Sequence, residues 1–143
     1  MIPSTRARVA APAVLAIALA ATALVAACSG PTASPTLGPR PSSPAVVEIV
    51  QPAQSATLHG TTVHVVLRLT GATIVPQTST AIRPDEGHLH LYVNNQLVSM
   101  NYGLEQDITV QPGTIALKAE FVAADHAPFN PRVWTPDTVF TVE

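Results

Sequence analysis

Residues 88–93 alternate strictly, with His88, His90 and Tyr92 on one side of the chain and Leu89, Leu91 and Val93 on the other. A period of two is that of a β-strand with one buried face. The run stops at Asn94-Asn95, two residues that tolerate the positive φ of a two-residue hairpin turn. Folding back across that turn sets Leu91 opposite Val98, Leu89 opposite Met100, His90 opposite Ser99 and His88 opposite Asn101. Apolar then meets apolar and polar meets polar, so the register supports itself. In this register Met100 lies on the core side, away from the histidines, which removes its thioether as a ligand and with it a soft site for Cu(I).

The rest of the chain after residue 46 repeats the pattern. Residues 46–50 open it. Residues 61–70 follow with Val63, Val65, Leu67 and Leu69 on one face, and residues 106–110 read as a further strand. Gln111-Pro112-Gly113-Thr114 carries Pro and Gly where a type II turn wants them, ahead of Ile115, Leu117, Ala119 and Phe121 on one face; residues 138–142 close the chain. No segment here keeps a helical apolar period. The prediction is an all-β, immunoglobulin-like sandwich of about seven strands over 46–143, with Leu67, Leu69, Leu89, Leu91, Leu117 and Phe121 in its core. It is not an antibody-type domain, because the one cysteine is Cys28 and the one tryptophan, Trp134, comes late. The Thr- and Pro-rich segment 71–86 is the longest apparent loop, either a binding loop or a crossover between sheets.

The segment before this domain has a different composition. Arg6 and Arg8 precede an apolar stretch from 9 to 25 rich in Ala, Leu and Val, and small residues follow. That order is the order of a secretory signal peptide over 1–27, although the run is also nearly long enough to be a single membrane anchor. Val25-Ala26-Ala27-Cys28 decides for the signal: it resembles the lipobox of bacterial lipoproteins, in which diacylglycerol is attached to the cysteine thiol and the chain is cut just before it. The resemblance implies lipidation (palmitate) at Cys28 and a protein held at the extracytoplasmic face of the cell membrane; two or more acyl chains hold firmly. Residues 29–45 contain five prolines among Ser, Thr, Gly and Ala and read as a flexible linker, with a proline-rich ligand as the alternative.

Charge narrows the partners. Of seven basic residues Arg6 and Arg8 leave with the signal, so five face nine acidic ones in the remainder. Without a basic cluster there is no footprint for nucleic acid or for anionic headgroups. A folded domain without cysteine has no disulfides, thiolate zinc sites or cysteine nucleophile. No G-x-S-x-G, no H-E-x-x-H and no phosphate-cradling glycine loop occurs, so the chain is read as non-catalytic: a binding or structural module, with a protein partner signalled by any contiguous exposed apolar patch.

Gly87-His88-Leu89-His90-Leu91-Tyr92-Val93 with Asn94-Asn95, then Gln111-Pro112-Gly113, then Phe121 to Pro128 with Asp125-His126-Ala127-Pro128, resemble a group of small bacterial extracytoplasmic domains. These carry a G-H-x-H strand, a P-G turn and a D-H-x-P loop. The resemblance spans roughly 47–142 and implies an immunoglobulin-like fold without a settled activity. The strand after the P-G turn often begins with a histidine in that group, and Ile115 stands here instead. Independently of it, His88 and His90 project from one face about 6–7 Å apart, a spacing from which two imidazoles can converge on one ion. With His126 as a third nitrogen and Asp125 orienting an imidazole, they would bind Cu(II) or Zn(II), copper or zinc being the only cofactor suggested. The alternative is a structural role, in which these side chains hydrogen-bond the loop to the sheet. His59 beside Gly60 reads as a turn residue and His64 as an ordinary outward strand residue.

Overall fold

The structure is a computed structural model, and it describes residues 39–143. The proposed signal peptide, Cys28 and the linker up to residue 38 lie outside the described residues. Among the described residues no helix is long and apolar enough to cross a membrane.

Ten strands follow one another: β1 Val46–Gln51, β2 Thr57–Leu58, β3 Thr62–Thr70, β4 Thr73–Ile74, β5 Glu86–Val93, β6 Gln96–Asn101, β7 Glu105–Thr109, β8 Gly113–Ala123, β9 Pro128–Trp134 and β10 Thr138–Val142. They make two sheets. The smaller runs β1-β3-β7, and the larger runs β2-β10-β8-β5-β4, with β6 also on β5 and β9 also on β8. Each long strand is amphipathic with period two, so the sheets bury one face each against the other. Val47, Val63, Val65, Leu67 and Ile108 come from the smaller sheet; Leu89, Leu91, Ile115, Leu117, Ala119, Phe121, Phe140 and Val142 come from the larger. Five of the six predicted core side chains are buried, and Leu69 packs at the margin. The segment 71–86 carries the chain from β3 in one sheet to β5 in the other, and is therefore a crossover.

Two sequence expectations give way. Pairing within the β5–β6 hairpin starts as predicted, Val93 with Gln96 and Tyr92 with Leu97, but a bulge at Leu91/Tyr92 then sets Leu91 opposite Ser99, His90 opposite Met100 and Leu89 opposite Asn101. One extra residue in β6 transfers everything beyond it to the other face. The free edge of β6 permits this, because few core contacts hold it to the apolar-to-apolar register. Sequence reading also passed over β9, whose Pro128 and Pro131 argue against a central strand; β9 pairs with β8 only at its two ends and is an edge strand, where proline is tolerated.

The start of the domain is set further back than composition placed it. Residues 40–45, assigned to the linker, lie against the sandwich: Ala45 is buried in the core, Asn130 N–H donates to Pro41 O, and Arg40 is bound by the turn between β8 and β9. Proline-rich chain has no sequence signature that separates a free tether from one held by a neighbouring loop.

Candidate functional site: a histidine cluster on the outward face of the larger sheet

The core face of β5 belongs to Leu89 and Leu91, which leaves His88, His90 and Tyr92 on the outward face. A solvated sheet surface would be expected there. His88 and His90 are nonetheless buried. What covers them is the turn at 124–127 between β8 and β9, the crossover near Val75, and Tyr102 just past β6. Gly87 makes the approach possible: a Cβ there would stand 1.9 Å from Val122 O, so only glycine lets β5 run that close to β8.

His126 sits in this turn with φ 64°, a left-handed conformation uncommon for a residue with a Cβ. Its N–H donates to Ala123 O, and Ala123 N–H donates to Ala127 O. The turn thereby swings the imidazole over the sheet. Its ring centroid lies 4.1 Å from that of His88 and 5.6 Å from that of His90. His126 Nδ1 is 3.4 Å from His90 Nε2, and His126 Nε2 is 3.0 Å from Thr78 Oγ1. The three histidines singled out in the sequence are therefore one cluster, whereas exposed His59 is not part of it and His64 pairs with Asp107 at 2.7 Å.

The tautomer of His88 follows from its partner. Val75 O, 3.1 Å from Nδ1, can only accept, so Nδ1 carries the proton. Nε2 then bears a lone pair that is buried and has no hydrogen-bond partner among the described residues. Such an orphan costs about 1–3 kcal/mol if left unsatisfied. Burial holds the pKa of both His88 and His90 below the ordinary 6.5, so both rings are neutral at pH 7. Proximity to His126 acts in the same direction.

Asp125 does not orient an imidazole, as had been expected. Arg40 takes its carboxylate through Nη1 at 2.6 Å and Nη2 at 2.9 Å, and Ala127 N–H donates to Oδ1 at 3.1 Å. The guanidinium also reaches Pro128 O and Ala127 O, each at 2.9 Å, so one side chain clasps the whole turn. The Arg40 hydrogen bond holds the Asp125 carboxyl below its usual range. Among the described residues no group of three or more His, Cys, Asp or Glu side chains is preset to hold a metal ion. Ile115 has no bearing on the cluster. It is buried on the core face of β8, opposite Phe140, and a histidine there would point away from His88 and His90.

Beside the cluster lies a second polar group that sequence reading missed. Glu120 faces outward from β8 opposite His90 and is fully buried. Arg132 binds it with Nε to Oε1 and Nη2 to Oε2, both at 2.7 Å, and Tyr92 O–H donates to Oε2 at 3.0 Å. Burial and then Glu120 raise the Tyr92 pKa, which keeps the phenol protonated as donor. Trp134 is flanked by Arg132 at 4.3 Å and Lys118 at 4.9 Å from its ring centroid. A Glu two residues after Lys118 on the outward face of β8, with Arg132 following at twelve residues, was the available signal.

The outer edge strand β6 is of another kind. Leu97, Val98, Met100, Tyr102 and Leu104, spread along β6 and the turn after it, are 40–56% exposed, and residues 96–104 carry no charge.

No protein-family model matches the chain, and the comparison with curated proteins found no match. Among solved structures it is similar to a fibronectin(III)-like module of CbhA from Clostridium thermocellum, 21% identical over 68% of this chain and 94% of that one, with a TM-score of 0.50. A crystal structure of an engineered protein is matched at 14% identity over 69% of this chain and 20% of that one, with a TM-score of 0.44. The first likeness shows the fold: an all-β sandwich of the fibronectin(III)-like, immunoglobulin-like kind.

Proposed function

We propose that this chain is a lipid-anchored extracytoplasmic module without catalytic activity, which presents edge strand β6 to a protein partner. The partner contributes an uncharged extended segment that pairs with the free edge of β6. The observation that carries this reading is the set of exposed apolar side chains from Leu97 to Leu104, with no charge among them, on a strand that pairs only with β5 among the described residues. Edge strands are ordinarily guarded by Lys, by Pro, by a bulge or by a covering element, because their unpaired N–H and C=O groups recruit other strands. β6 carries neither Lys nor Pro, and among the described residues its one such guard is the bulge opposite Leu91/Tyr92. Cys28 supplies the anchor, and the proline-rich chain up to residue 38 spaces the sandwich from the membrane.

A photo-crosslinking residue at Val98 in intact cells tests the contact. A discrete crosslinked protein, identified by mass, is expected, and the same crosslink is lost with Leu97→Asp. Crosslinks no different from those at Gln54, across the molecule, would overturn the docking strand. For the anchor, Cys28→Ala should release the protein from membranes; a variant that stays wholly membrane-bound would mean that the apolar run 9–25 is itself the anchor.

A further inference from the structure

The bulge at Leu91/Tyr92 has a chemical consequence. It places Met100 directly opposite His90, on the outward face that the hairpin pattern had denied it. Side chains of directly opposed residues share a face, with Cβ atoms about 4.5–5.5 Å apart. Tyr102, two residues on, stacks edge-on against His88 at 5.0 Å between centroids, so this stretch of chain lies over the histidines. Met100 is 56% exposed, and with three rotatable bonds its thioether can turn toward the sheet.

We infer that His90 Nε2, His126 Nδ1 and Met100 Sδ, with His88 Nε2 as the remaining donor, form a copper(I) site on the outward face of the larger sheet. Metal–nitrogen bonds of about 2.0–2.1 Å at a tetrahedral angle hold two nitrogens about 3.3–3.4 Å apart. His90 Nε2 and His126 Nδ1 stand 3.4 Å apart, long for a hydrogen bond and right for two ligands of one ion. Coordination uses the lone pairs of His90 Nε2 and His126 Nδ1, so in the site each imidazole carries its ring proton on its other nitrogen, which for His126 is the Nε2 beside Thr78 Oγ1. The left-handed backbone of His126 has a purpose in this site, since it is what aims Nδ1 at His90. His88, with Nδ1 fixed by Val75 O, offers an unprotonated Nε2, the arrangement in which a backbone carbonyl orients a metal-binding imidazole.

The donor set selects the ion. Both nearby carboxylates are already engaged, Glu120 by Arg132 and Tyr92, Asp125 by Arg40, so neither is free to bind an ion. Imidazole and thioether without carboxylate or thiolate favour Cu(I).

The test is an anaerobic titration of the full chain carrying Cys28→Ser, which removes the only thiol, in detergent against a chromogenic Cu(I) chelator. One equivalent of Cu(I) is expected, with sulfur in the X-ray absorption spectrum of the bound ion. Met100→Leu keeps the apolar edge of β6 and should weaken Cu(I) at least tenfold while eliminating the sulfur signal. His126→Asn suits the left-handed turn, so the fold should persist, and it should abolish saturable binding. No saturable Cu(I) binding, or equal affinity and an unchanged spectrum in Met100→Leu, overturns the site. Because Met100→Leu leaves β6 apolar, the crosslink at Val98 should survive it, and failure of the docking strand and failure of the copper site are told apart.

Discussion

Removing the Arg132 guanidinium should destabilise the domain far more than its half-exposed position suggests. Glu120 has no exposed surface, and two of its three hydrogen bonds come from Arg132, at 2.7 Å each. Arg132→Met keeps a stem that can lie over Trp134 and leaves a buried carboxylate with Tyr92 alone. Breaking a buried pair from one side costs about 3–5 kcal/mol; because the Arg132 side chain is 43% exposed, water can reach part of the gap and about 2–4 kcal/mol is expected. The double change Glu120→Leu/Arg132→Met removes the stranded charge as well. It should cost about 1 kcal/mol, since replacing both partners by apolar groups is nearly neutral. Urea unfolding followed by the fluorescence of the only tryptophan, Trp134, which touches Arg132, reads both values and their coupling. A single variant that loses under about 1 kcal/mol, or a double variant less stable than the single, would refute the reasoning.

Three further outcomes follow from the same structure. Leu91→Ala, in the centre of the core, should cost about 2–5 kcal/mol by urea unfolding; a negligible loss would contradict the packing. Stability should be flat above pH 6.5 and fall below it. The unfolded chain gains protons on His88 and His90 there, while burial keeps the folded pKa values lower, and the loss is complete only once pH is below the folded values. Thermal midpoints between pH 7.5 and 4.5 should show this, with a smaller slope in His88→Phe; equal slopes would assign the acid loss to other groups. Arg40→Ala strands Asp125 and frees the 124–127 turn, for about 1–3 kcal/mol and faster amide exchange at Ala127, whose N–H Asp125 accepts. Unchanged exchange would show that the clasp does not hold the turn.

The class of the fold was legible in the sequence because period-two alternation is a local property: a strand with one buried face must show it wherever it sits in a sandwich. The strand from Thr62, the alternation through Leu89 and Leu91 and the closing strand at Thr138 were all readable in this way. So was the grouping of His88 with His90, two residues apart on one face, and the association of His126 with them. What tertiary structure decided were relations that no local pattern carries. The register of β6 depended on a bulge at an edge strand with little core to fix it, and that bulge moved Met100 to the histidine side. The burial of His88 and His90 depended on a turn and a crossover distant in sequence covering an outward face. Asp125 found Arg40 in place of an imidazole because a segment that composition describes as linker lies against that turn, an ion pair 85 residues apart along the chain. Alternation determines which way a side chain points; only the assembled sheets and loops determine what it meets there.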